Sequence, residues 1–396
     1  MDRQGWLQLT AVQAGGAICL PVFVIGYALG KSYGIASAAL AIVLGNMLLM
    51  TLAFVSGVYS SEKRLSTIEC AIECFGKKGK GLFSAAMVTS MTGWFAIQLN
   101  LMGESLHQIF PIAKGIYGSL GMGIVMTALG TRGLRGVGIL ANLSMPLLIA
   151  TIVMGLAGTG VDVSTTAAPR TLTTAGLSLV LACSIGAVVD LPTFFRVAKS
   201  RKDAIVSIVV LFGLVIPAVE MVGVILSSAN GGGGFIDMLM GAYSSSLWNI
   251  WVLGFVLMAG WTTNSANLYS AIVSIGPVVP AASFPFRAVL VGGAGTLLSC
   301  LPLMEGLEMI LHPIGIVLTS MGAVLICFFI TQEKTTAVQN VLAWIAGTAT
   351  GCLSMATASV TGIPMLDGFV VSLIMMGAFM GYASLKKEIL IYENDR

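Results

Sequence analysis

A chain of 396 residues, 57% hydrophobic and only 9% charged, with a mean hydropathy of +0.95, cannot hide its apolar surface as a soluble domain, whose charged fraction is roughly 25%. That deficit excludes a cytosolic enzyme, a nucleic-acid binder and a disordered chain. The net charge of +3, from 20 basic and 17 acidic residues, is too balanced to draw a polyanion. The expected class is an all-α integral membrane protein with the lipid bilayer as its solvent.

Twelve apolar stretches of spanning length follow one another. They run over residues 6–30, 34–59, 82–110, 112–130, 137–157, 174–196, 204–228, 244–275, 280–300, 304–328, 338–356 and 366–385. With the N-terminus in the cytoplasm, the inner connectors collect all of the 20 Lys and Arg residues except Lys31, Lys114 and Arg170. This is a strong positive-inside asymmetry, and it places both termini in the cytoplasm. Short connectors and the lack of a small-residue cleavage site favour a bacterial inner membrane, with residues 386–396 as a cytoplasmic tail. The seven cysteines form no C-x-x-C pair, and most lie in apolar runs as small buried hydrophobes. Two scattered histidines make no metal site.

The third and eighth stretches share a pattern. Met91, Gly93, Trp94, Asn100 and Leu101 recur as Met258, Gly260, Trp261, Asn267 and Leu268, five spans further on. An odd number of spans inverts the second copy, so the spacing predicts a five-plus-five inverted repeat. The first copy covers 1–157 and the second 174–328, with two appended helices over 338–385. Spans 1 and 6, at corresponding places, both combine helix-weakening glycine with proline: Gly15, Gly16 and Pro21 in one, Gly186 and Pro192 in the other. Both are expected to break, because an interrupted helix is tolerated in lipid only where its freed backbone groups line a cavity or meet a ligand.

Polar residues inside the spans are few. Trp94 and Gln98, four apart, share a face with Met91 and offer a ring plane beside a carboxamide. Thr262, Thr263, Asn264, Ser265 and Asn267 form a polar cluster in span 8, where adjacent hydroxyls can ligate a dehydrated cation or bond back to their own helix. Three acids are candidates for a gate or proton relay. Asp190 needs pairing, wetting or protonation, with Arg196 as a possible partner. Glu220 is the deepest acid of span 7, and Glu104 lies towards the outer end of span 3.

Three segments carry a resemblance: Gly93-Trp94-Phe95-Ala96-Ile97-Gln98, Pro192-Thr193-Phe194-Phe195-Arg196, and Trp261-Thr262-Thr263-Asn264 with Leu268-Tyr269. In these the chain resembles the nucleobase:cation symporter-1 family, and within it the cytosine permease branch. The resemblance implies a leucine-transporter-type fold working by alternating access, driven by sodium or protons and needing no other cofactor. It also implies a cation site from the hydroxyls of Thr262 and Thr263, the carbonyl of Ala259, and span 1 carbonyls near Cys19 and Val22. Substrate would meet Trp94, Gln98, the span 6 break around Ser184 and Gly186, and Asn264 or Asn267. The chain departs from cytosine permeases at Met91 and Ala259, where they carry amides, and at Ser184, where they carry phenylalanine.

The expected function is thus symport of a small planar nitrogenous heterocycle with a cation, by a monomer or weak oligomer. A cation-coupled amino acid carrier of the same fold is the alternative. A channel or intramembrane enzyme is disfavoured because no pore-lining stripe or catalytic set is present.

Overall fold

The computed structural model describes residues 3–111, 114–131, 134–159, 171–228, 234–303, 305–332 and 335–394. Among them the fold is helical, with one isolated parallel bridge between Gln4 and Ala198. The elements are α1 (Trp6–Ala17), α2 (Leu20–Lys63), α3 (Thr67–Ile109), α4 (Gly115–Gly130), α5 (Leu134–Gly158), α6 (Thr174–Phe195), α7 (Arg201–Val210), α8 (Ile216–Ser227), α9 (Phe235–Met240), α10 (Ser246–Ile275), α11 (Phe284–Leu298), α12 (Leu307–Thr331), α13 (Ala337–Ala356) and α14 (Pro364–Asn394). Seven of these segments, with α7 to α8 counted as one, are long and apolar enough to cross a membrane. Each of the twelve predicted stretches lies on one of these helices or on a run of them.

Two glycines turn continuous helix into corners. Gly34, with φ 75°, divides α2 at the expected boundary between spans 1 and 2. Gly76, with φ 68°, separates span 3 from a helical piece at the start of α3. Only glycine takes this left-handed conformation without steric cost. The start of α3 was not expected, although its capping box is legible in Ser66-Thr67-Ile68-Glu69. The Glu69 N–H donates to Ser66 Oγ, and the Ser66 N–H donates to Glu69 Oε2 at 2.7 Å.

Prolines shape three further segments. Pro217 lies just after a π-helical turn, Leu211–Val215, which joins α7 to α8; the wider turn makes room for a ring that would strike the Gly213 carbonyl. At the end of α1, Pro21 interrupts the chain as described below.

In α6 the expected interruption is absent. Thr174–Phe195 is one helix through Ser184, Gly186 and Pro192. A single glycine costs only about 1 kcal/mol. The Val188 carbonyl, which Pro192 cannot serve, accepts instead from Ser56 Oγ of α2 at 3.2 Å. Ser60 Oγ likewise donates to the Pro192 carbonyl at 3.0 Å. The neighbouring helix thus supplies, through Ser56, the donor that the proline removes, and the helix continues.

Packing is closest between α2 and α8. A Cβ on Gly26 would stand 2.0 Å from the Glu220 carbonyl oxygen, and one on Gly223 would stand 2.2 Å from that of Phe23. These reciprocal backbone contacts are the small-residue packing of membrane helices. The short α9, also unexpected, docks by stacking Phe235 on Phe23 at 5.0 Å.

Candidate functional site

Span 1 is broken where the sequence predicts. The Ile18 N–H closes α1 on the Ala14 carbonyl at 2.7 Å; Ile18 (ψ 73°) and the extended Cys19 (φ −128°, ψ 155°) then leave the helix before α2 begins at Leu20. Pro21 has no N–H for the Ala17 carbonyl and disfavours helix just ahead of itself, so α1 cannot run on. The break leaves the partially negative end of α1 and the partially positive start of α2 at one place.

A cavity of about 100 Å³ lies against the break. Gln13, Gly16 and Ala17 of α1, Cys19 and Val22 line one wall, and Met91 and Trp94 of α3 line another. Ser184, Asp190 and Phe194 of α6, with Leu211 and Ile216, form a third, and Thr263, Asn267 and Ser270 of α10 complete it. Most of this lining is apolar, which suits a small solute fixed by a few polar groups.

Thr263 bridges the break to α10. Its Oγ1 lies 3.0 Å from the carbonyl oxygen of Ala259, 3.1 Å from that of Gly16 and 3.4 Å from that of Gly15. One hydroxyl hydrogen can serve only one of three acceptors, so this is a cluster of oxygens with a surplus of lone pairs. The carbonyls and the hydroxyl are neutral oxygens, a donor set that suits a hard monovalent cation, with the Cys19 thiol also beside the Thr263 side chain. Nothing lies within 4 Å of the position a Gly16 Cβ would take. Of the expected ligands, Ala259 and Thr263 belong to this cluster. The Thr262 hydroxyl turns back to Met258 and Ala259 of its own helix, at 3.0 and 3.1 Å. Cys19 and Val22 line the cavity, but the carbonyls facing Thr263 are those of Gly15 and Gly16. Those glycines drew attention in the sequence only as helix breakers.

The expected substrate residues separate into two groups. Met91, Trp94, Ser184 and Asn267 line the cavity. Gln98, one turn beyond Trp94 on the same face, is fully buried, and neither polar atom of its carboxamide has a partner. An unpaired buried amide costs about 1–3 kcal/mol, and Gln98 is not part of the cavity lining. Asn264 faces away from the cavity. Its Nδ2 donates to the Phe95 carbonyl at 3.2 Å and contacts Met126 Sδ, tying α10 to α3. Gly186 faces Met91 and Leu318.

The acids also differ from expectation. Asp190 lines the cavity but is not paired with Arg196. Its Oδ1 accepts from Thr193 Oγ1 at 2.8 Å and its Oδ2 from Ser270 Oγ, while the Thr193 hydroxyl bonds to Thr67 at 2.9 Å. Arg196 lies at the C-cap of α6, and its guanidinium reaches Glu69 in the first turn of α3 at 3.5 Å. Its reach past the end of α6 favours that exposed acid over one buried in the helix. Glu104 is exposed beside Gly115 at the start of α4, away from the cavity. Glu220 is fully buried and bonded to Asn46.

No protein-family model and no curated protein sequence matches the chain. Solved structures do. Over 97% of this chain and 92% of its own length, Mhp1 in an inward-facing conformation superposes with a TM-score of 0.79 at 16% identity. A further Mhp1 structure, described as that of a nucleobase-cation-symport-1 family transporter with bromovinylhydantoin bound, gives 0.77 at 16% identity over 97% of this chain and 94% of that one. A Na+-coupled sialic acid symporter gives 0.71 at 14% identity, covering 96% and 89% of the two chains. At these identities the likeness concerns architecture, and the chain has the fold of Mhp1.

Proposed function

We propose that this protein is a secondary active transporter that carries a small planar nitrogenous heterocycle together with sodium, by alternating access. The observation that carries the reading is the break at Ile18–Cys19, whose carbonyl end meets Thr263 directly beside a small cavity lined by Trp94. In this reading the oxygens of Thr263, Ala259, Gly16 and Gly15 hold the cation. Trp94 stacks on the flat face of the solute, while Asn267 and Gln98 meet its polar edge. In this reading the chain makes twelve membrane crossings, two inverted copies of five with two appended helices, with the pocket halfway through the bilayer and both termini in the cytoplasm. The fold shared with Mhp1, a nucleobase-cation-symport-1 family transporter, supports this reading, as do the motif residues in α3, α6 and α10.

A second reading draws on the start of α2. Its first-turn N–H groups, next to the cavity-lining Cys19 and Val22, can receive a carboxylate, as an amino acid substrate would need. Uptake into proteoliposomes under an imposed sodium gradient tests both. Competition by nucleobases and hydantoins supports the first reading, and competition by amino acids alone replaces it with the second. Absence of gradient-driven uptake across both panels rejects the transport assignment.

A further inference from the structure

One buried acid has no part in the site above. Glu220 lies in α8 at 0% exposure, one turn beyond the cavity-lining Ile216 on the same helix face. Its Oε2 accepts a 2.6 Å hydrogen bond from Asn46 Nδ2 in α2. The same nitrogen donates to the Ile42 carbonyl at 3.0 Å. A carbonyl only accepts, which fixes the orientation of the amide and commits both of its hydrogens. The pair is left with two orphan oxygens, Glu220 Oε1 and Asn46 Oδ1.

An ionised carboxylate here would leave Glu220 Oε1 charged and without a donor, inside a segment apolar enough to lie in a bilayer. No charged side chain among the described residues acts on the carboxyl from the helices packed around it; the titratable groups within electrostatic reach are the thiols of Cys19 and of Cys183 in α6. A metal ion fits poorly, since the pair leaves only two oxygens unserved, and no group of three or more His, Cys, Asp or Glu side chains gathers to hold one among the described residues. A single proton meets both deficits of the acid. It cancels the charge and turns the orphan Glu220 Oε1 from an unserved acceptor into a donor.

We propose that Glu220 and Asn46 form a proton-binding site between α2 and α8, separate from the cation site at the break in span 1. The site bears directly on span 1. The Glu220 carbonyl lies against Gly26 in the close contact that fastens α2 to α8, and Gly26 belongs to the half-helix that begins at the break. With the proton bound, the carboxyl that pairs with Asn46 is neutral. Loss of the proton places a charge between α2 and α8, on the residue whose backbone packs against Gly26, so a packing that excludes water from Glu220 requires the loaded site. The consequence, that transport responds to proton activity as well as to sodium, rests on the transporter reading; the occupancy of the site does not.

Infrared difference spectroscopy of the purified protein in lipid at neutral pH tests the occupancy without any substrate. The spectrum of the native protein minus that of Glu220→Gln is expected to contain the C=O stretch of a protonated carboxyl. Asn46→Leu is expected to move that same band to the frequency of an acid with no hydrogen-bond partner. If the difference contains only carboxylate bands, or the band does not respond to Asn46→Leu, the proposal is overturned. Subtracting Asp190→Asn in the same way separates the other buried acid. In proteoliposomes at saturating sodium, the dependence of uptake on pH is expected to flatten in Glu220→Gln, whose side chain reproduces the neutral pairing with Asn46. An unchanged pH profile overturns the coupling role. Failure of all uptake would reject the transporter reading and leave the spectroscopic result standing.

Discussion

Removing the Thr263 hydroxyl separates the two threonines that the sequence presents as equals. Thr263 Oγ1 faces the carbonyls of Gly16 and Gly15 at the end of α1 as well as Ala259 of its own helix, while Thr262 bonds only within α10. A hydrogen bond or ligand contact to a charged group is worth about 1.5–3 kcal/mol, so Thr263→Ala should raise the half-saturating sodium concentration about 10- to 150-fold. Thr262→Ala should have a much smaller effect. Thr263→Ser, which restores the oxygen, should recover most of the loss. The assay is sodium-dependent thermal stabilisation of the purified protein, because an ion that binds only the folded form raises its melting temperature by mass action. An unchanged sodium dependence in Thr263→Ala would refute the cluster as the cation site. A larger effect from Thr262→Ala would refute the assignment of Thr263 over its neighbour.

Trp94→Ala should weaken binding of a planar heterocycle by about 5- to 150-fold, the worth of about 1–3 kcal/mol of stacking, with Trp94→Phe intermediate; equal affinities in isothermal titration would remove the ring from the site. Ser56→Ala strips the donor from the Val188 carbonyl that Pro192 leaves unserved, and should cost about 1–3 kcal/mol, read as a lowered melting temperature. Gly26→Ala drives a methyl group into the Glu220 backbone and should cost about 1–3 kcal/mol or more. Gly121→Ala, with nothing within 4 Å of the new atom, should be neutral or stabilising. Asp190→Asn loosens the link to Ser270, and should speed maleimide modification of Cys183, a buried native thiol in the cavity lining; an unchanged rate would mean that Asp190 does not hold the cavity closed.

The helices were legible because charge marks their ends and apolar runs mark their interiors, and the break in span 1 was legible because Gly15, Gly16 and Pro21 all act locally. Span 6 misled for the converse reason. Pro192 breaks a helix only if nothing else serves the Val188 carbonyl, and the donor that does so, Ser56, lies far away in the chain with no local pattern to announce it. The same limit applied to Arg196, which pairs with Glu69 of another helix rather than with Asp190 six residues before it. In the site, residue types were readable and directions were not. Trp94, Asn267 and Thr263 reach the cavity or the break, whereas Asn264, next to Thr263, is rotated by about 100° around the helix and bonds to α3 instead.

The pattern of contacts has a mechanical meaning. α2 packs most heavily on α6 and α8, and α3 packs most heavily on α10 and α4, with α4 also held by α11. The cavity lies between these two groups. Within the first group the link of α2 to α8 is hard to change, because its glycine contacts are backbone against backbone. Links between the groups are exchangeable side-chain bonds: Asp190 to Ser270, Thr193 to Thr67, and Arg196 to Glu69; Thr263 to Gly16 likewise ties α10 to α1. The hydroxyl bonds are worth about 0.5–1.5 kcal/mol each when water can replace the partner, and a partly exposed ion pair about 0–1 kcal/mol. Separating the groups on one side of the cavity therefore costs a few kcal/mol, comparable to what a bound cation or solute supplies by preferring one arrangement over the other. Thr263 adds a further link of this kind, because its oxygen lies on α10 and the carbonyls it faces lie on α1. In the proposed reading, a cation held among those oxygens stabilises only the arrangement in which they converge.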